Sequence, residues 1–202
     1  MPFPYIFPII FGELPGVQVL IGGEIPDLVK GSLSIELTIE ERSIASFTLF
    51  DSLGADSYEW GQPVSIWDIT DTRIFDGFVA EPEMRRVSPD GGIYHAIRCM
   101  DNHYLADKRL VIASYTNENA GDIVTDLLAD YLAAEGVTLG EIQDGEAVSQ
   151  AIFNYVSVAE ALDSLAELSG FTWYIDEAKD LYFIDRITNL TDWNWSLTTP
   201  KP

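Results

Sequence analysis

The chain carries two histidines and one cysteine close together in sequence, and they are the first residues to consider for chemistry. Cys99, Asp101 and His103 have the side chains of a metal site or of a Cys–His nucleophile pair. In a strand or turn, however, Cys99 and His103 do not face together as they would on a helix. His95 shares one face of an alternating run with Ile97 and Cys99. We therefore expect His95 and Cys99 to pack in a core and His103 to lie at the surface.

Carboxylates are the other candidates, and they are too abundant for a paired acid and base to be recognised. Asp68, Asp71 and Asp76 offer oxygen ligands for calcium, but their spacing matches no EF-hand loop and favours turn positions. The sequence contains no nucleophile elbow, phosphate-binding loop, zinc-protease motif or dinucleotide fingerprint. We predict no catalytic residue, no cofactor and no metal site, and hence no enzyme.

The charge is strongly negative, with 33 acidic residues against 11 basic ones and a formal net charge of −22. That balance argues against a protein that grips nucleic acid or an anionic membrane, because both are bound through Lys and Arg. It is compatible with an acidic wall along which DNA passes without sticking, and equally with solubility alone. The basic pairs Arg85–Arg86 and Lys108–Arg109 are expected to meet acidic neighbours in this chain or in the next subunit.

Residues 1–15 form an apolar N-terminal arm that contains four prolines. Proline excludes a regular helix or a central strand, and the apolar stretch 3–11 is too short to span a membrane. No basic residue precedes that stretch, so we expect no signal peptide. The arm is predicted to pack against a neighbouring subunit or, as the alternative, against its own barrel. The candidate interface residues are aromatic: Phe3, Tyr5, Phe7 and Phe11 in the arm, with Trp193 and Trp195 near the C-terminus.

Residues 16–112 are predicted to be β-structure. Leu33, Ile35, Leu37 and Ile39 alternate with polar residues, which is typical of a strand with one solvated face. Further alternating runs between turn residues give about six strands, and short strands at this spacing favour a barrel or sandwich over an open sheet.

Residues 113–186 change in character. A helix is predicted over 120–135, with Thr116 or Asn119 as its cap, and Gly136 ends it. A short strand over 137–142 and an acidic loop follow. Because helical and strand patterns are segregated along the chain rather than alternating, the predicted fold class is α+β.

A second helix and a hairpin complete this part. Ser157 and Glu160 have the spacing of a capping box, which predicts a helix start. Gly170 is placed to end the helix with a positive φ, and 171–185 reads as a hairpin. The predicted buried positions of the helix recur at helical spacing: Val158, Ala161, Leu162, Leu165 and Leu168.

Several segments, taken in chain order, carry a resemblance to a known family. They are 28–36, 42–49, 61–66, 73–79, 99–111, 120–124 and 154–176. Together they resemble bacteriophage tail baseplate-hub proteins, often described as minor tail proteins, which are similar to the base of the type VI secretion spike. None of the segments is catalytic, and the ordered set carries the resemblance.

The resemblance implies a fold and an assembly. The fold is an antiparallel tail-tube-like β-barrel over 16–112, followed by a small α/β domain over 113–186 with two helices and a hairpin. Family members typically form trimers in which each subunit supplies two barrels, and a hexamer is the alternative here. Residues 187–202 are then a C-terminal tail or the start of a missing second barrel, so the chain is either part of a longer hub or builds its ring differently.

The same resemblance implies a role in the virion, at the tail tip or baseplate. The implied partners are further copies of the chain, a distal tail or tail tube protein, a tail fibre or spike protein, and the tape measure protein. Genomic DNA would be met only in passage, and no membrane binding by this chain is expected. Two other functions stay open: a carbohydrate- or receptor-binding tail module that uses Trp193 and Trp195, and a tail-associated cell-wall hydrolase.

Overall fold

The computed structural model describes residues 7–10, 16–38, 42–86 and 92–186, with the backbone alone for 7–10 and 84–86. The first part of this range forms one seven-stranded sheet, in the spatial order β1-β3-β4-β7-β6-β5-β2, and every neighbouring pair is antiparallel. Its strands are β1 (Phe7–Ile10), β2 (Gln18–Ile21), β3 (Ser34–Leu37), β4 (Ile44–Asp51), β5 (Pro63–Trp67), β6 (Arg73–Arg86) and β7 (Ile93–Asp101).

This sheet curls around a core of its own, in which alternate side chains of β2, β4, β5 and β7 are buried. The pattern is complete in β4, where Ala45, Phe47 and Leu49 are buried and the residues between them are half-buried. The predicted alternation holds at Leu33 and Ile35, which are buried, whereas Leu37 is exposed and Ile39 lies outside the described residues.

The N-terminal arm contributes β1 at the edge of the sheet. Phe7 pairs with Leu37 and Pro8 with Glu36. An edge position fits the proline, which has no N–H to donate to a second neighbour. The backbone of Phe7–Ile10 therefore adds to the chain's own sheet, which was the second of the two predicted placements.

The second part contains the helices and two smaller sheets. Its elements are α1 (Tyr104–Asp107), β8 (Leu110–Asn119), α2 (Ala120–Leu127), β9 (Thr138–Ile142), β10 (Ala147–Ser157), α3 (Val158–Ser169), β11 (Phe171–Ile175) and β12 (Asp180–Asp185). Strands β8 and β10 form an antiparallel two-stranded ribbon, while β12 lies between β11 and a parallel β9. A second core, which includes Leu105, Leu127, Leu162 and Phe183, packs between these elements.

The first predicted helix is present, although it changes pitch. After α2 the chain makes a π-helical turn over Leu128–Leu132 and a 3₁₀ turn over Ala133–Glu135, and Gly136 ends it with a φ of 82°. Asn119 occupies the cap position, but its side chain makes no capping hydrogen bond. Thr116 lies within β8 and is not the cap.

The second predicted helix is α3, and its start and end are confirmed. The Ser157 hydroxyl accepts a hydrogen bond from the Glu160 N–H (3.1 Å), and the Glu160 carboxylate accepts one from the Ser157 N–H (2.8 Å). Gly170 ends the helix at a φ of 71°. Val158, Ala161, Leu162 and Leu165 are buried as predicted. The prediction for Leu168 was wrong, since this side chain is exposed.

The fold is therefore mostly sheet with a few helices, in agreement with the predicted α+β class. The strand Ala147–Ser157 was not predicted, and neither was its pairing with β8. Within the described ranges, no helix is long and apolar enough to cross a membrane.

Candidate functional site

A cavity of about 310 Å³ lies where the curled sheet meets the β11–β12 hairpin. The sheet side supplies Ser43, Phe75, Asp76 and Asp101, among others, and the hairpin side supplies Trp173, Ile175, Asp176 and Glu177. The wall is mostly apolar, with carboxylates grouped on it. Such a combination is typical of a binding pocket. What this junction pocket can bind depends on which of its carboxylates already hold other groups of the protein.

Asp101 is the most perturbed carboxylate of the pocket. Burial raises its pKa to about 6, against the opposing effect of hydrogen bonds and of the nearby Arg42. One carboxylate oxygen accepts a hydrogen bond from the Ser43 N–H (2.8 Å) and the other accepts one from the His103 N–H (3.2 Å). Both oxygens thus hold backbone, which ties the end of β7 to the start of β4.

A hydrogen-bonded bridge joins the sheet to the hairpin beside the pocket. The buried Asn102 amide donates to Asp76 Oδ2 (3.3 Å) and to the backbone oxygen of Asp176 (2.9 Å). Arg73 Nη1 donates to the backbone oxygen of Glu177 (2.7 Å) and lies 3.4 Å from Asp76 Oδ1. Burial raises the pKa of Asp76. These contacts fix the hairpin turn against the sheet.

Ring contacts extend the same junction. The His103 ring lies 4.2 Å from that of Trp173, at an interplanar angle of 33°. Trp173 in turn donates from Nε1 to Asp163 Oδ1 on α3 (2.7 Å). Lys179 Nζ lies 5.3 Å from the centre of the Phe78 ring. Residues from both parts of the chain therefore interlock here.

As expected from their spacing in a strand, Cys99 and His103 have different surroundings. Cys99 is fully buried in the core of the first sheet, and burial raises the pKa of its thiol to about 12. His103 instead packs on Trp173. His95 is buried, as predicted, with Tyr58 edge-on at 4.9 Å. Among the described residues, no three His, Cys, Asp or Glu side chains group as metal ligands.

Other charged residues considered in the sequence bind nearby groups of the chain itself. Asp68 Oδ1 accepts hydrogen bonds from the backbone of Thr70 (2.7 Å) and Thr72 (2.9 Å), which confirms a turn aspartate. Lys108 Nζ and Arg109 Nε both donate to Glu135, at 2.8 and 2.9 Å, as expected for basic residues with an acidic neighbour. These two cations hold the pKa of Glu135 below its usual range.

Most of the predicted interface residues lie outside the described part of the chain: Phe3, Tyr5, Phe11, Trp193 and Trp195. Phe7 lies in β1, where only its backbone is described. Arg85 and Arg86 likewise lie in β6 with undescribed side chains. Their interface and ion-pair roles stay predictions.

An apolar surface on the β8–β10 ribbon was missed by the sequence reasoning. The side chains of Leu110, Ile112, Ile152 and Tyr155 are all exposed there. The sequence does contain a signal for this surface, which is its lack of charge: the two strands together contain a single charged residue, Glu118.

Comparison with known proteins places the fold. No protein-family model and no curated protein sequence matches the chain. Among solved structures, the 43 kDa tail protein of prophage MuSo2 from Shewanella oneidensis superposes with a TM-score of 0.65 at 14% identity, covering 86% of this chain and 56% of that one. A tail protein from Neisseria meningitidis gives 0.63 at 13% identity, covering 83% of this chain and 49% of that one.

A third similar structure comes from a bacterial secretion system. An Escherichia coli component of the type VI secretion system, described as structurally similar to the T4 tail proteins gp27 and gp5, gives a TM-score of 0.61 at 14% identity, covering 82% of this chain and 48% of that one. This chain spans about half the length of these proteins. The resemblance to tail hub proteins is thus confirmed at the level of the fold.

Proposed function

We propose that the chain is a structural component of a phage tail tip, where it forms part of the baseplate-hub ring that closes the distal tail tube. The likeness to the MuSo2 tail protein carries this proposal, because a cover of 86% of the chain includes both parts of the molecule. The ring would join the tail tube or distal tail protein to fibre or spike proteins, with the tape measure protein inside.

In this role the curled seven-stranded sheet would act as the tail-tube-like barrel. Its antiparallel order and one-sided core support that assignment. The helical part is held against the sheet by the Asn102 and Arg73 bridge, so the two would move as one block during assembly. The formal charge of −22 would favour an acidic channel wall that repels DNA phosphates and lets the genome pass.

We further propose that the chain is not catalytic. The most perturbed carboxylate of the junction pocket, that of Asp101, already uses both oxygens to hold the backbone of Ser43 and His103. A residue engaged in this way stabilises the fold, and its hydrogen bonds to backbone give it a structural role in the pocket. The glycan-binding alternative depends on Trp193 and Trp195 and stays a prediction.

The location can be tested by immunogold electron microscopy of purified virions, with antibodies raised against the isolated chain. We expect gold at the tail end distal to the head. Label along the whole tube, at the head, or only on cell debris would contradict the proposal. Release of soluble fragments from peptidoglycan by the purified chain would contradict its non-catalytic part.

A further inference from the structure

The β8–β10 ribbon is a neutral surface on a very acidic protein. Its strands are 10 and 11 residues long, and Glu118 is their only charged residue, whereas 22% of the whole chain is charged. One face of the ribbon is buried through Tyr115, Ala151 and Phe153 in the second core. The other face points away from that core.

The outward face is apolar at its centre. Ile112 pairs directly with Asn154, and Ile152 pairs with Ser114, so the two isoleucines are diagonal neighbours on the same side of the ribbon. Ile112 is 58% exposed and Ile152 is 64% exposed. Contiguous exposed apolar residues of this kind mark interaction surfaces.

A strained residue adjoins these isoleucines. Tyr155 is the extra residue of a bulge between Asn154 and Val156, with a φ of 58° and a side chain that is 69% exposed. A left-handed conformation is unfavourable for a bulky L-residue, and strain of this kind is concentrated at functional sites. Among the described strands, β10 pairs with β8 alone, so its opposite edge has no strand partner.

We propose that this face of the ribbon, defined by Leu110, Ile112, Ile152 and Tyr155, binds a second copy of the chain. Two copies that each carry a formal charge of −22 repel one another wherever their acidic surfaces meet. The ribbon is where two copies can approach with apolar area to bury and almost no like charge to bring together. A basic partner, in contrast, would bind the acidic remainder of the surface more strongly than this neutral face.

The contact deepens the proposed hub assembly, on which it rests, by naming a surface through which two subunits meet. It can be tested on the isolated chain by sedimentation velocity over a concentration series up to about 100 µM, at salt concentrations from 0.1 to 1 M. The Debye length falls from about 10 to about 3 Å over this range. We expect self-association that strengthens with salt, because the repulsion is screened while the apolar contact remains.

The decisive variant is Ile112→Thr/Ile152→Thr, which keeps β-branched side chains suited to strands and removes apolar area. Its dissociation constant should rise at least tenfold. The matched control is Ile25→Thr/Ile69→Thr, because Ile25 (63%) and Ile69 (61%) are equally exposed but lie outside the ribbon. The control should associate like the natural chain, and circular dichroism should show all three proteins folded.

The proposal is overturned if the natural chain stays monomeric at every salt concentration, if association weakens with salt, or if the control variant loses association as much as the ribbon variant. None of these results contradicts the tail-tip location, which is tested separately by gold labelling of the distal end of virions. Conversely, ribbon-dependent association with no label on virions would contradict the proposed function and not the contact.

Discussion

The two β-structures of the chain follow the same period-two rule but carry different residues on their outer faces. In the large sheet, β3 and β4 place Ser34, Glu36, Ser46 and Thr48 opposite their buried residues, and these side chains are half-buried and polar. In the ribbon, two outward positions hold isoleucines that are more than half exposed, Ile112 and Ile152, and their cross-strand partners are Asn154 and Ser114.

This difference suggests two roles: the inner faces of both β-structures stabilise the fold, and the outer face of the ribbon is a surface for association. Polar outward residues can remain in water, so these positions of the large sheet need no further partner. An apolar outer face leaves area in water that association can bury. The helical part of the molecule therefore has both a buried core and an exposed apolar surface.

The strongest test of this division removes one large side chain from each core. Phe75 and Phe183 are both fully buried, one in each cluster. Phe75→Ala and Phe183→Ala should each lower the free energy of unfolding by about 3–5 kcal/mol, through lost burial and the cavity left behind. Native-state hydrogen exchange should show the loss of protection mainly in the mutated region. Equal loss in both regions for either variant would show a single cooperative unit instead.

The next largest loss of stability is expected when the hydrogen-bonded bridge between the two regions is broken. Asn102→Ala leaves the backbone oxygen of Asp176 and the carboxylate of Asp76 without their amide donor, which should cost about 1–3 kcal/mol in urea unfolding. Asn154→Ala on the exposed side of the ribbon is the control and should change stability by less than about 0.5 kcal/mol. Similar losses in the two variants would show that Asn102 does not join the regions.

Local signals made much of the fold predictable. The Ser157–Glu160 capping box, Gly136 and Gly170 each act within one helical turn, so the sequence alone locates both helices. Alternation in the centre of β4 is also a local signal, because the buried Ala45, Phe47 and Leu49 are separated by the polar Ser46 and Thr48.

The ribbon and the junction pocket had no such signal. In strand β10 the apolar residues Ala151, Ile152 and Phe153 are consecutive and the bulge at Tyr155 follows them, so the sequence has no clear period of two. The pocket joins Asp101 to Asp176 across a long stretch of chain, and a contact of that kind follows from tertiary packing that no local pattern encodes. The exposure of Leu168 is likewise set by tertiary packing and not by helical spacing.

Asp101 should make the junction between the regions pH-dependent. Its pKa is about 6 in the folded protein, against an ordinary value of 3.8 for the unfolded chain, so the folded state binds the proton more tightly. The resulting stabilisation is complete below about pH 4 and is lost as the pH rises through 6. Between pH 7 and pH 5 the free energy of unfolding should therefore rise by on the order of 1 kcal/mol from this group.

The control for the pH effect is Asp101→Asn, which removes the titration. Its stability should change less than that of the natural chain between pH 7 and pH 5, when both are followed by thermal unfolding. Burial raises the pKa of Asp76 as well, so the difference between the two proteins, and not the slope of the variant alone, isolates the effect of Asp101. Parallel pH profiles for the two proteins would show that Asp101 does not titrate with folding.

The smallest expected effect concerns Tyr155 and separates stability from association. A left-handed conformation costs an L-residue roughly 1–2 kcal/mol, and glycine avoids that cost but loses about 0.5–1 kcal/mol of chain entropy. Tyr155→Gly should therefore raise the free energy of unfolding by about 0.5 kcal/mol while it weakens self-association through the ribbon. Asn117 has a similar φ of 54° on β8, and asparagine tolerates this conformation, so Asn117→Gly should bring no gain. If Tyr155→Gly destabilises the monomer instead, the tyrosine side chain contributes to the stability of the fold. Its left-handed conformation would then be no evidence for a surface that binds another copy.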